Sequence, residues 1–293
     1  RGVGDRFSLQ SRAKPAHGLQ TRFDLRKFER VGEFFSGPFE QDRETFRVDL
    51  AHSAQVATEM TFGQKVAQYD LFEHGRVAGM DRLQCCDAID EIERLGINLL
   101  IDVGANRGFY SQHLRDMGYK GHIMAFEPEP HSFAILAQRA RNDRKWQVFN
   151  CGLGDAPGEL EFFVANDRGE TVMSSLLKVR GTLEVTPTTV TIKRLEDVLA
   201  EHMPVADPRV FLKMDTQGYD LQVFNGGGTL AGVDLLQSEI SVIPLYDGMP
   251  HFTKSLLRYE QAGFSLLDLF VVGRKGGGLT GPVCEYDALL ARR

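Results

Sequence analysis

An α/β fold is predicted, with a doubly wound, mostly parallel sheet, an antiparallel C-terminal strand and a mainly helical N-terminal extension. Three features predict it. Strand-like and helix-like segments alternate from about residue 98 onward. The first strand runs straight into a glycine turn, as "LLIDVGANRG" from Leu99 to Gly108. Acids, namely Asp102, Glu127, Asp215 and Glu239, stand at or near the ends of the predicted strands, where sheets of this kind place their ligands.

The elements follow in order. Residues 1–65 are arginine-rich, and Leu25, Phe28, Val31 and Phe35 recur at helical spacing, so a short amphipathic helix is expected within an N-terminal extension. The main domain is assigned to 66–293. Leu83, Cys86, Ile89, Ile92 and Leu95 form a helical stripe that stops at Gly96, a residue suited to ending a helix. Strands are predicted near 98–103, 122–127 and 146–151, with helices near 108–118 and 131–142 between them. "GELEFFV" (158–164) and "TTVTIKR" (188–194) alternate like extra strands near a sheet edge. A strand at 209–215, a helix from 219, a strand at 233–240 and a helix from 252 continue the alternation. The last two runs, "FSLLDLFVV" and "CEYDALLA", are joined by "GRKGGGLTGP", which is too short for a crossover helix, so they are expected to pair antiparallel.

Composition narrows the function classes. The 293 residues carry 34 Lys plus Arg against 40 Asp plus Glu, a net charge of -6, which argues against a nucleic-acid surface as the main business of the chain. The cysteines, Cys85, Cys86, Cys151 and Cys284, have no CxxC spacing and suggest neither a zinc site nor a disulfide framework, so a reducing, cytoplasmic setting is expected. No apolar run approaches the roughly 20 residues of a membrane span. The longest late candidate, "LLDLFVV", is interrupted by Asp268.

The chemistry concentrates after the first strand. Gly104 and Gly108 fit a sharp turn with a ligand close to the backbone. Their G-x-x-x-G spacing does not meet the dinucleotide pattern G-x-G-x-x-G. Asp102 is placed to orient an ammonium group, directly or through water, and Glu127 to accept hydrogen bonds from the vicinal hydroxyls of a ribose. A ligand with an amino acid at one end and a nucleoside at the other suits this pair, and S-adenosylmethionine is such a ligand. Asp215 and Glu239 would face a transfer site across adjacent strand ends. Either carboxylate can act as a base toward an alcohol, or the two together can hold a divalent cation; the residues leave both open, as they do a purely supporting role. In the loop "IPLYDGMP" (243–250), Tyr246 and Asp247 are acceptor-binding candidates beside the alternative of a packed turn. "ETVMSSLLK" (170–178), with Ser174 and Ser175, is a candidate substrate lid.

The segments "IDVGANRGFYS", "AFEPEPHSFAIL", "GLGD", "GELEFFV", "VTIKRLEDVL", "FLKMDTQGYDLQVFNGG" and "LLQSEISVIPLY" together resemble the FkbM family of S-adenosylmethionine-dependent methyltransferases over about 70–293. The resemblance implies a class I methyltransferase, Rossmann-like sheet. It also implies that Asp102, Gly104, Ala105, Asn106 and Gly108 hold the methionine part. Glu127, with Pro128 beside it, would hold the ribose, and the turn Leu153, Gly154 and Asp155 would lie against the adenine. Where the family reads D-V-E-G, this chain reads Asp215, Thr216, Gln217, Gly218. The expected activity is O-methylation of a small molecule, sugar or secondary metabolite, the acceptor being a small molecule or glycan. A nicotinamide-dependent oxidoreductase and a non-catalytic interaction module on the same fold are the rival readings. For the extension, homodimerisation, covering the site and binding a partner all stay open.

Overall fold

The computed structural model describes residues 81–165, 173–180, 184–228, 232–275 and 281–293, with side chains from Ala88 onward. The extension expected over 1–65, its boundary with the main domain, and the side chains of Cys85 and Cys86 lie outside the described residues.

The first described helix, α1 (Asp81–Leu95), packs its predicted stripe through Ile89 and Ile92. It closes at Gly96, whose φ of 63° is the left-handed turn that glycine permits. Then follow β1 (Leu99–Val103), α2 (Phe109–Asp116), β2 (His122–Phe126), α3 (Pro130–Ala140) and β3 (Trp146–Phe149). A two-residue β4 (Gly152–Leu153), β5 (Gly158–Ala165) and β6 (Val185–Lys193) precede α4 (Leu195–His202). The chain continues through β7 (Val210–Met214), α5 (Asp220–Asn225), β8 (Val233–Ser241), α6 (Phe252–Gln261), β9 (Phe264–Arg274) and β10 (Val283–Arg292).

Seven strands form the main sheet in the order β3-β2-β1-β7-β8-β10-β9. The pairs among β3, β2, β1, β7 and β8 are parallel, and β10 runs antiparallel to both β8 and β9, as the short glycine-rich connection requires. Every residue of β1 and of β7 is buried, which explains why both are apolar but for Asp102 and Lys213. Because successive side chains alternate in direction, the sheet carries a core on each face. Leu99, Ile101, Val103, Met214 and Ile240 pack with Leu195, Leu221, Phe224 and Tyr259 from α4 to α6. Leu100, Phe211, Leu235 and Leu289 pack with Ile89, Leu114 and Leu136 from α1 to α3.

Strand order reverses at β1, since the chain moves outward to β2 and β3 on one side and returns to β7 and β8 on the other. A crevice therefore opens beyond the carboxyl ends of β1 and β7.

Two features differ from expectation. "GELEFFV" and "TTVTIKR" do not extend an edge of the main sheet; they form β5 and β6 of a separate three-stranded sheet with β4. The reason is local. The strand expected over 146–151 stops at Phe149, and Gly152 and Leu153 pair in parallel with Ile192 and Lys193, drawing the hairpin away from β3. Helix α4, which follows β6 directly, was not anticipated.

Candidate functional site

The turn after β1 is fixed by its backbone. Gly104, Asn106 and Gly108 have φ of 76°, 47° and 79°, and the N–H groups of Gly104 and Ala105 both donate to the carbonyl of Phe126, at 3.1 and 3.0 Å. A Cβ on Gly104 would stand 1.9 Å from the carbonyl oxygen of Asp215, so only glycine lets β1 and β7 close together here. At Gly108 the space of a Cβ is taken by Leu136, Arg139 and Trp146; this glycine serves helix packing.

Glu127 follows β2 and is tied into the same turn. One carboxylate oxygen accepts the N–H of Asn106 at 2.7 Å and the other the N–H of Glu129 at 2.8 Å. Burial pushes its carboxyl up to about 7, the two backbone donors offsetting part of that cost. Glu129 in turn caps α3, accepting the N–H groups of His131 and Ser132 at 2.8 and 2.6 Å, with Pro130 at the first helical position. The "EPEP" stretch thus places one acid on the turn and one on a helix end.

A cleft, partly open to solvent, lies over this edge. Its lining brings together Gly104, Asn106, Glu127, Pro128, Leu153, Ser174 and Asp215 from the residues expected at a site. Gly152, Leu153 and Phe162 reach it from the small sheet, and Leu176 from the segment 173–180. That segment lies along β5: the N–H of Phe163 donates to the carbonyl of Ser175 at 2.8 Å, and the N–H of Ala165 to the hydroxyl of Ser174 at 2.9 Å.

The other expected residues take different places. Asp102 is fully buried and does not line the cleft. Strand alternation turns it to the opposite face from Val103, where it accepts the Ser111 hydroxyl at 2.6 Å and lies 3.4 Å from Lys213 Nζ. It supports the sheet beneath the site. Ala105 is buried in the core with Leu114 and Leu136. Asp155 is exposed and lines a separate groove with Gln222 and Lys254. Ser175 is buried, donating to the Gln217 carbonyl at 2.8 Å. Asp247 pairs with Arg180 at 2.9 Å on the exposed surface.

Asp215 and Glu239 are joined by a residue that sequence reasoning had passed over. Gln217, at φ 54°, donates its amide to Glu239 at 2.8 Å and to Asp215 at 3.2 Å. Its amide oxygen accepts the buried Tyr246 hydroxyl at 2.8 Å, while the Met173 carbonyl lies 3.1 Å from the same hydroxyl. Its signal was the substitution in the family's D-V-E-G pattern together with a backbone shape that β7 ends tolerate only when the surroundings hold it. Glu239 is buried, and desolvation together with Asp215, Glu285 and Asp287 raises its carboxyl well above the ordinary range. Asp287 is likewise pushed up, to about 8, by burial and by Asp215. Beneath them Asp220 accepts from Thr216, Ser238 and the N–H of Glu239, fixing the β7 and β8 ends to α5.

Lys213, fully enclosed, is a second residue that sequence reasoning did not find. Its ammonium is 3.3 Å from Asp215, 3.4 Å from Asp102 and 4.9 Å from the center of the Tyr110 ring. Burial pulls it down, but Asp215, Asp102 and Asp287 hold it above the ordinary lysine range. Among the described residues no group of three or more His, Cys, Asp or Glu side chains is arranged to hold a metal ion, and the Gln217 amide stands between the two carboxylates proposed for one. No described helix is long and apolar enough to cross a membrane.

Comparison with known proteins bears on this arrangement. The family model described as "Methyltransferase FkbM domain" matches residues 102–266, from Asp102 in β1 into β9 and so across the whole cleft. Methyltransferase sdnD of Sordaria araneosa is 29% identical over 153 residues, covering 43% of this chain and 59% of that protein. The 2-O-methyltransferase NoeI of Sinorhizobium fredii is 24% identical over 162 residues, covering 51% of this chain and 66% of that one. The chain thus spans roughly three fifths to two thirds of the length of these relatives. The crystal structure of methyltransferase FkbM from Methylobacillus flagellatus aligns with a TM-score of 0.40 at 14% identity, covering 89% of this chain and 70% of that one. With a match that takes in the glycine turn, Glu127, the "DTQG" segment and Glu239, over more than half of its length, the chain belongs to the FkbM methyltransferase family.

Proposed function

We propose that this protein uses S-adenosylmethionine to methylate a hydroxyl of a small molecule, sugar or secondary metabolite. One observation carries the proposal: a carboxylate, Glu127, lines the cleft at the switch point, anchored by two backbone donors that leave each oxygen a further lone pair. Two vicinal hydroxyls match that acceptor pair. The apolar wall of Leu153, Phe162 and Pro128 suits a flat base, and the backbone of Gly104 and Asn106 suits the amino-acid end. These residues fit the cofactor. The relative named 2-O-methyltransferase favors oxygen as the accepting atom.

When bound, the cofactor supplies an electrophilic methyl group on a sulfonium and leaves as a neutral thioether. The residues of the chain do the rest. Asp215, partly exposed at the cleft, takes a hydrogen bond from the acceptor hydroxyl and receives its proton. Glu239, whose buried acidic surroundings favor its protonated form, positions Gln217 instead of acting as the base. Gln217 fixes the Asp215 carboxylate, and the segment 173–180 walls the cleft against water through Ser174 and Leu176. Holding the acceptor in line is then the main source of rate.

Calorimetric titration tests the reading. Saturable binding of S-adenosylmethionine with a Kd on the order of micromolar is expected. Absence of that binding, or saturable binding of NADH in its place, contradicts it.

A further inference from the structure

We infer that Asp215 reads the charge of the cofactor, so that the cleft holds S-adenosylmethionine more tightly than S-adenosylhomocysteine; this rests on the nucleoside reading above. Methyl transfer removes one positive charge from the cofactor, because a sulfonium becomes a thioether. A carboxylate beside that sulfur has a cationic partner in bound S-adenosylmethionine and none in bound S-adenosylhomocysteine.

The cleft is built with an excess of negative charge. Glu127, Glu129 and Asp215 line it, and no Lys, Arg or His is among its lining residues. Glu129 is committed to the N-terminus of α3, and Glu127 to two backbone N–H groups and, on this reading, the ribose. Asp215 is the acid still open to a ligand, with its side chain 40% exposed.

Lys213 does not cancel it. One ammonium serves two carboxylates, at 3.3 Å to Asp215 and 3.4 Å to Asp102. Both separations exceed the roughly 2.7–2.9 Å of a close charged hydrogen bond. The Asp102 oxygen on that side, buried completely, has no hydrogen-bond partner at all among the described residues. The trio of Asp102, Lys213 and Asp215 is therefore one positive charge short.

Position supports the assignment. With the ribose on Glu127 after β2 and the base toward Leu153 and Phe162, the substituent on the far ribose carbon extends toward β1 and β7. There the carbonyl of Asp215 touches Gly104 so closely that no Cβ fits between them. The part-exposed side chain keeps the effect near about tenfold, below that of a dry site.

The test is a set of binding titrations without acceptor, using S-adenosylmethionine, S-adenosylhomocysteine and sinefungin, an analogue with an amine in place of the sulfonium. The wild-type protein is expected to bind the two cationic ligands about tenfold more tightly than the thioether. Asp215→Asn is expected to lose the preference among the three ligands. A wild type that binds the thioether equally or more tightly overturns the inference, as does a preference that survives in Asp215→Asn. If that variant binds nothing, the wild-type ranking of the three ligands decides alone. A wild type that binds none of them contradicts the nucleoside reading itself and removes the inference with it.

Discussion

Glu127→Ala will weaken S-adenosylmethionine binding by roughly a hundredfold or more, since it removes an acceptor for two hydroxyls, each charge-assisted bond being worth about 1.5–3 kcal/mol. The loss has a second source. The same carboxylate holds the N–H of Asn106 and of Glu129, so its removal also loosens the turn after β1. Binding by the wild type should carry a pH signature of this residue. Its carboxyl stands at about 7 in the folded protein, raised by burial above the 4.5 of a free glutamic acid. Two hydroxyl donors favor the ionized form, so binding expels a proton wherever the free protein holds one. Affinity therefore rises with pH up to about 7 and then levels; at pH 6 the Kd should be about tenfold weaker than at pH 8. Glu127→Gln, which cannot ionize, should show a flat profile across that range. Calorimetry at several pH values checks both variants, and wild-type affinity that is level from pH 6 to 8 would refute the role given to this carboxylate.

Lys213→Met will destabilize the domain by about 3–5 kcal/mol, the usual cost of stripping a buried ion pair of one partner. Asp102 is completely enclosed and cannot be rehydrated without opening the β1–β7 ladder, whereas Asp215, the other carboxylate paired with this ammonium among the described residues, keeps its contact with solvent. Such a loss is a large part of the stability of an ordinary domain and should lower the melting temperature by about 10 °C. Adding Asp102→Asn to the same chain removes the stranded charge and should recover part of the loss, a non-additivity that a double-mutant cycle would register. A Lys213→Met protein within about 1 kcal/mol of wild type in urea denaturation would show that the ammonium is not holding these acids.

Much of this architecture was legible in the sequence because burial on both faces favors apolar residues at consecutive positions. β1 and β7, apolar but for Asp102 and Lys213, show it, and the glycine-rich connection correctly gave an antiparallel end to the sheet. The small sheet was misplaced because alternation reveals a half-buried strand without saying which sheet receives it; the pairing of Gly152 with Ile192 settles that. Within the site, acids at strand ends could be located but not aimed. Asp102 and Val103 are neighbors in sequence and face opposite sides of the sheet, which is why one sits over Lys213 and the other lines the cleft. Gln217 looked like a lost carboxylate, yet its amide is what joins Asp215, Glu239 and Tyr246, a set drawn from three segments of the chain. Contacts of that kind depend on the register between β7 and β8 and have no local signature.

The central claim is that a sulfonium nucleoside lies beyond the ends of β1, β2 and β7. A crystal structure with S-adenosylhomocysteine tests it most directly. The account predicts both ribose hydroxyls on the Glu127 carboxylate, the base against Leu153 and Phe162, and the sulfur on the Asp215 side of Gly104. A nucleoside bound elsewhere, or one whose ribose makes no contact with Glu127, would contradict it.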